Sequence, residues 1–359
     1  MRNKISRLEP RFPIISKRTG IAVERLQSIS QGSTPNLTEL LALGKYLRIP
    51  LDAIGDFDDN TGVADMRLRS SSHPDMFYTA EMRVSLITKF ILSEATAEQR
   101  NIKIEMKAST DNLRSIDDTS LVVRSLFHLD DENDPIRDIS KSISDANLAH
   151  VIKLRGLGVD GACISIDDVN FIFVSAQYVP RMRFTVAHEL AHVIFGHCHD
   201  KAIIDENIFG PEVNLKDDEK LANAFSSCIL MPVLGLTRFI SRFKDLFDQK
   251  DDSISSIEIA YLARFFGLSF EAAGNRLEQT GIVDRGATAR LLSELRKQFD
   301  SAESYMRNLP VKENYDDIPV LSPAIREFIR SKIEDGAYSV SRVANIFGYT
   351  VNEVYDFIR

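Results

Sequence analysis

The stretch from Arg183 to Asp200, RFTVAHELAHVIFGHCHD, sets the strongest constraint on the fold of this chain. Phe184, Val186, Ala187, Leu190, Ala191, Val193, Ile194 and Phe195 leave almost no solvated face before Gly196, so a helix here must be buried on all sides. His188, Glu189 and His192 interrupt that apolar run, and buried polar groups need partners. On a helix, His188 and His192 stand at i and i+4 and project from one face, close enough to share one metal ion. Glu189 points to the neighbouring side, where it can polarise a metal-bound water without being a ligand. The same pattern also arises by chance, and two buried histidines can instead be satisfied by hydrogen bonds within a core.

A second segment favours the metal. Asp217 to Pro232 reads DDEKLANAFSSCILMP, with acidic residues in the first turn of a helix and Pro232 closing it. Glu219 and Asn223 are again i and i+4, so the carboxylate can complete three protein ligands. The Asn223 amide oxygen can accept the far N–H of a ligand histidine. The longer motif HExxHxxGxxH is absent, because Phe195 stands where its glycine would be and Cys198 where its last histidine would be. His197 and His199 remain as competing ligands or as helix caps. A Cys198 thiolate near the metal is a further candidate, able to take the water position and hold the centre inactive.

RFTVAHELAHVIFGH followed by EKLANAFSSCILMP closely resembles the ImmA/IrrE family of zinc metallopeptidases, over roughly residues 134 to 283 and including GVDGACISIDDVNFIFVS. The departures are small: Ser226 and Ser227 replace an alanine pair, and Cys228 follows. The resemblance implies Zn2+ held by His188, His192 and Glu219, with Glu189 as general base. It also implies a protein substrate, a repressor of the helix-turn-helix type whose cleavage releases genes for stress response, mobile elements or phage defence. The developing oxyanion needs a second electrophile, and Tyr178, Arg183, His197 and His199 are the candidates. The competing reading is a transcription regulator or antitoxin-like protein whose zinc site is structural or senses a ligand.

A length of 359 residues with 44% hydrophobic content suggests two or three domains. The expected class is α+β and mainly helical: a helix-turn-helix bundle over 1–55, a helical connector over 56–130, a gluzincin-like domain with a small sheet over 131–285, and a helical region over 286–359. No run is long and apolar enough to span a bilayer, and MRNKISRLEPRF lacks the apolar core of a signal peptide, so a cytoplasmic protein is expected. Cys163, Cys198 and Cys228 form no disulfide framework. Residues 1–55 hold nine basic against four acidic residues, a surplus of +5 that leaves −13 for the rest of a chain whose net charge is −8. An acidic body argues against nonspecific nucleic-acid binding there, while the basic head can meet phosphates.

Within that head, a helix from Pro13 to Thr19 ends at Gly20 and a second begins after Ile21, ending by Gly32 and Pro35. The arrangement resembles the Xre/Cro type of repressor domain from its second helix onward; Pro10 and Pro13 break the first. If the domain binds DNA, Ala22, Glu24, Arg25, Gln27, Ser28 and Gln31 face the duplex, with Arg25 on guanine, Gln27 or Gln31 on adenine, and Lys17 and Arg18 on phosphates. Otherwise it is a packing module, or it docks against a partner repressor. Residues 56–65 are expected as a linker and 66–109 as mainly helical, with Phe77, Met82, Val84, Leu86, Ile87 and Phe90 as the apolar stripe. Asp130 to Asp134 form an acidic loop, and Pro135 starts a helix through about Ile143. Residues 160–176 alternate as a β-hairpin turning at Asp167 and Asp168. An edge of that sheet, beside the HExxH helix, is a platform for an extended peptide. Beyond Met231, residues 263–269 and 344–350 echo each other as helix, glycine, helix. Arg290 to Arg307 reads as one charged amphipathic helix. Pro310 to Pro323 reads as a linker to a C-terminal module, residues 318–359, for protein contact or dimerisation.

Overall fold

A computed structural model of the chain describes residues 12–33, 35–47, 74–93, 100–102, 106–108, 112–198, 203–205, 217–248, 253–310 and 312–359. It is α+β and mainly helical, built around one mixed sheet of four strands in the order β1-β3-β2-β4. Strands β2 (Gly161–Ile166) and β3 (Val169–Ser175) are the expected hairpin, paired antiparallel from Ile166 opposite Val169 to Gly161 opposite Val174. Asp167 and Asp168 both take positive φ, 51° and 62°, as a two-residue turn matched to strand twist requires. Strand β1 (His150–Leu154) lies parallel to β3, and β4 (Ile203–Asp205) pairs with β2 from the other side.

Alternation along the strands divides the core into two layers. Val151, Cys163, Ile172 and Val174 point to one face, and Ile152, Leu154, Ala162, Ile164, Phe171 and Phe173 to the other. The first face is covered by helices at 113–125, 139–145, 179–194, 217–230, 256–266 and 270–279, which contribute to the largest hydrophobic cluster. The second is covered by the helix Pro74–Leu92 and by the C-terminal helices Pro323–Glu334, Val340–Phe347 and Val351–Ile358. Val84, Ile87 and Phe90 of the expected stripe are buried there and Leu86 is half-buried; the side chains of Phe77 and Met82, like residues 56–73, lie outside the described set.

Several boundaries differ from expectation. Residues 318–359 are not a detached module, because Leu321, Ile325, Ile329, Val343 and Phe347 belong to the sheet's own core. Nor is Pro310 to Pro323 a free linker: Leu321 bridges Ile152, Lys153 N–H donates to Val320 O, and Ser322 N–H donates to Val151 O, so this segment seals the outer edge of β1. Ile116 and Val123, from the expected connector, lie in the first core. The helix expected from Pro135 begins at Ile139, where the Asp138 carboxylate accepts from Lys141 N–H. Arg290 to Arg307 is split into Ala287–Phe299 and Ala302–Arg307 at Asp300, whose φ is 64°. Among the described residues no single helix is long and apolar enough to cross a membrane.

The N-terminal helices Phe12–Thr19, Val23–Ser30 and Leu37–Leu47 close on a small core of Phe12, Ile15, Ile21, Leu26, Ile29 and Leu43. Arg25 donates from Nε and Nη2 to the two carboxylate oxygens of Glu39 at 2.8 and 2.9 Å. That fork is the one a guanine contact would use, so Arg25 would have to leave Glu39 to read a base. Lys17, Arg18, Gln27 and Gln31 are exposed. Ser28 is half-buried, and its hydroxyl donates to Glu24 O.

Candidate metal centre

The helix Val179–Ile194, here αA, carries the HExxH run, and only Val179 and Arg181 of its 16 residues escape burial. It packs on the helix Asp217–Leu230, here αB. Facing residues at i, i+4 on αA meet the N-terminal turn of αB, which places His188, His192 and Glu219 within 4.8 Å of one another by their ligand atoms. His188 Nε2 lies 3.2 Å from His192 Nε2 and 3.2 Å from Glu219 Oε2, and His192 Nε2 lies 3.6 Å from the same oxygen. The two imidazoles are fully buried and Glu219 is 15% exposed, so the centre opens on the carboxylate side.

The outer nitrogens determine what the centre lacks. His188 Nδ1 lies 2.9 Å from Asn223 Oδ1, an acceptor, so the ring proton sits on Nδ1 and Nε2 presents a lone pair. That lone pair faces a carboxylate oxygen and a second imidazole nitrogen. Such a grouping calls for positive charge at its middle. Ligand atoms about 2.0–2.1 Å from a tetrahedral zinc are about 3.3–3.4 Å apart, and the observed separations fall close to that. The donor set therefore fits a divalent cation of the zinc type.

Glu189, one position on, is completely buried and its side chain lies against the start of β2. Gly161 makes this possible: a Cβ there would stand 2.4 Å from Glu189 Oε1 and 2.6 Å from Thr185 Cγ2. Local sequence around GVDGACISI does not display this part of Gly161, since only the tertiary approach of β2 to αA creates it. Cys163, two residues on, is buried among Cys198 and Glu189. Burial first, then these neighbours, raises its thiol well above the ordinary value.

The remaining candidates fall in different places. Arg183 is fully buried and donates to the carbonyls of Ile136, Arg137, Phe266 and Gly267, with burial lowering its pKa to about 10. Its guanidinium ties two loops to αA and is not turned to the histidines, which corrects its candidacy as an oxyanion donor. Tyr178 caps the start of αA and interacts with Tyr315; ten residues of helix separate it from His188, about 15 Å at 1.5 Å per residue, so it too is misplaced for that role. Cys198 turns its thiol toward Ser165, 3.7 Å away, and toward Cys163. It is not part of the ligand group, contrary to the expectation of a metal-capping thiolate. His199 lies outside the described residues.

His197 is close to the centre without joining it. Its Nδ1 is 3.0 Å from His192 Nδ1, and its Nε2 is 3.6 Å from Asp218 Oδ1. Burial first, and then the neighbouring His192, lowers its pKa.

No curated protein matches this sequence. Residues 148–278, from just before β1 to the helix Phe270–Gln279, match the model of the metallopeptidase family Peptidase_M78, described as an IrrE N-terminal-like domain, which supports the ImmA/IrrE resemblance and a metallopeptidase-like function for the segment that holds the centre.

Proposed function

We propose that the chain is a zinc-dependent endopeptidase whose substrate is a regulatory protein, a transcriptional repressor of the helix-turn-helix type. The observation that carries this reading is the convergence of His188 Nε2, His192 Nε2 and Glu219 Oε2, with a buried carboxylate, Glu189, on the next residue of the same helix. Zinc bound by those three atoms supplies Lewis acidity, which brings a water molecule's pKa toward neutrality and polarises a peptide carbonyl. Glu189 takes the proton of the attacking water and returns it to the leaving amine. Asn223 holds His188 in the tautomer that keeps Nε2 free of hydrogen.

Substrate presentation follows from the sheet. β4 is the outer strand on the side of β2 and has no further strand beside it among the described residues. An extended peptide pairing there would be held by main-chain hydrogen bonds near αA. The basic N-terminal bundle is the part suited to recruiting the enzyme, through DNA or through the repressor itself, and a homodimer would bring two such bundles together. Within this reading, cleavage derepresses genes of stress response, mobile elements or phage defence.

The test is zinc analysis of the purified full chain and of Glu189→Gln, followed by incubation of both with helix-turn-helix repressors from the same genome. Stoichiometric zinc in both and cleavage by the unaltered chain alone is the expected result. Zinc without cleavage in either would favour a regulator whose metal site senses or stabilises. Absence of zinc would overturn the ligand assignment.

A further inference from the structure

We propose that His197 is a positioning residue for this centre, holding the imidazole of His192 through a nitrogen-to-nitrogen hydrogen bond; the proposal rests on the zinc reading above. The local sequence explains why it sits there. αA ends at Phe195, and Gly196 takes φ 71°, the left-handed conformation that glycine adopts without a Cβ clash. His197 N–H then donates to His192 O at 2.8 Å and Gly196 N–H to Val193 O at 3.2 Å. These two bonds define a Schellman ending, in which the residue after the glycine is swung back over the one three before the cap. That contact is usually between apolar side chains. Here it joins two imidazoles, with ring centroids 5.2 Å apart.

The proton positions follow in sequence. For His192 Nε2 to present a lone pair beside Glu219, its proton must sit on Nδ1. The atom facing that proton is His197 Nδ1, at 3.0 Å, which must therefore accept. His197 then carries its own proton on Nε2, directed toward Asp218 Oδ1 at 3.6 Å. Asp218 neighbours Glu219 on αB, so this relay returns to the helix that supplies the third ligand. His188 is served by Asn223 and His192 by His197, and such outer partners fix ring orientation and basicity.

The experiment compares His197→Leu with His197→Asn in the full chain. Leu satisfies the apolar contact of a Schellman ending but accepts no hydrogen bond; Asn has nearly the same shape and places an amide oxygen where Nδ1 was. Zinc affinity is read by competition with a chromophoric chelator, and the Nδ1–H of His192 by nitrogen-15 NMR of histidine-labelled protein. The expected result is an affinity loss of about 10–100-fold for Leu, recovery of most of it by Asn, and loss of the slowly exchanging Nδ1–H signal in the Leu variant alone. Equal affinities for Leu, Asn and the unaltered chain would overturn the proposal, as would equal losses in both variants. Should the Leu variant fail to fold, Asp218→Asn, at an exposed position, decides: a reproducible loss of zinc affinity, smaller than that for a direct outer partner, is expected from the weakened end of the relay, and no change overturns the proposal. Failure of the unaltered chain to bind zinc would instead refute the metal reading beneath both.

Discussion

On one face of the sheet, three buried or half-buried polar side chains are donors aimed at backbone carbonyls: Tyr338 Oη donates to Phe90 O at 3.0 Å, Tyr349 Oη to Lys153 O at 2.9 Å, and Arg83 to the carbonyls of Arg155, Gly156 and Phe347. On the other face, His188, His192 and Glu219 turn three acceptors toward one another. Both faces are equally dry, so burial alone does not mark a site. What separates them is whether the groups satisfy each other. A donor on a carbonyl is complete, whereas three convergent lone pairs require a cation, and folding has spent two outer partners, Asn223 and His197, on keeping them so. The face that carries αA and αB should therefore report on chemistry and the opposite face on stability.

The largest effect tests the chemical side. Glu189→Gln keeps the volume and removes the base, and peptide cleavage should fall by about 10²–10⁴-fold while zinc content stays stoichiometric. Cleavage at the original rate would place the base elsewhere. The structural side is tested by Phe347→Ala. Phe347 is fully buried against Phe90, with centroids 6.3 Å apart, and its truncation should cost about 3–5 kcal/mol of stability by chemical denaturation. Zinc affinity measured below the transition should not change. If affinity fell with stability, the two faces would be one cooperative device and the comparison would fail.

Much of this was legible from local spacing. His188 with His192, and Glu219 with Asn223, are each fixed by an i, i+4 relation on a helix, with Glu189 next to the first histidine, and a sequence displays such spacing directly. The hairpin was legible because its alternation and its Asp167-Asp168 turn are contiguous. β1 was not, since HVIKL is only five residues long and becomes a strand by pairing with β3, which lies later in the chain. The Arg25–Glu39 pair spans 14 residues and two helices, so Arg25 reads as a free base contact until the bundle is folded. Arg183 has the same history: from the sequence it is a cation near an active helix, and only the loops at 136–137 and 266–267 show where its donors go. His197 lay within reach of the sequence, because a histidine directly after a helix-ending glycine is returned to the last turn by the Schellman geometry.

A smaller effect sharpens the chemical side without touching a ligand. Asn223→Ala removes the acceptor of the His188 Nδ1 proton and frees that ring to rotate. Zinc affinity should drop by about 10–100-fold, with little change in the denaturation midpoint of the apoprotein because Asn223 is only half-buried. Asn223→Asp, which keeps an acceptor in place, should retain the affinity. Equal losses for Ala and Asp would mean that shape at this position matters and the hydrogen bond does not.

The smallest effect is the counterpart on the other face. Tyr338→Phe deletes one hydroxyl, keeps the ring stacked on Phe90 at 4.2 Å, and leaves the Phe90 carbonyl without that donor. A buried hydrogen bond of this kind contributes about 1 kcal/mol net, and the denaturation midpoint should fall accordingly. Zinc affinity and cleavage rate should both be unaffected, since Tyr338 belongs to the core on the side of the sheet opposite αA and αB. Combined with Asn223→Ala, the two losses should add, one appearing only in stability and the other only in affinity, because distant sites with no shared partner behave independently. Any excess in the double variant would measure how strongly the sheet transmits strain from one layer to the other, and an excess above about 0.5 kcal/mol would show that the face built for stability also holds the metal centre in shape.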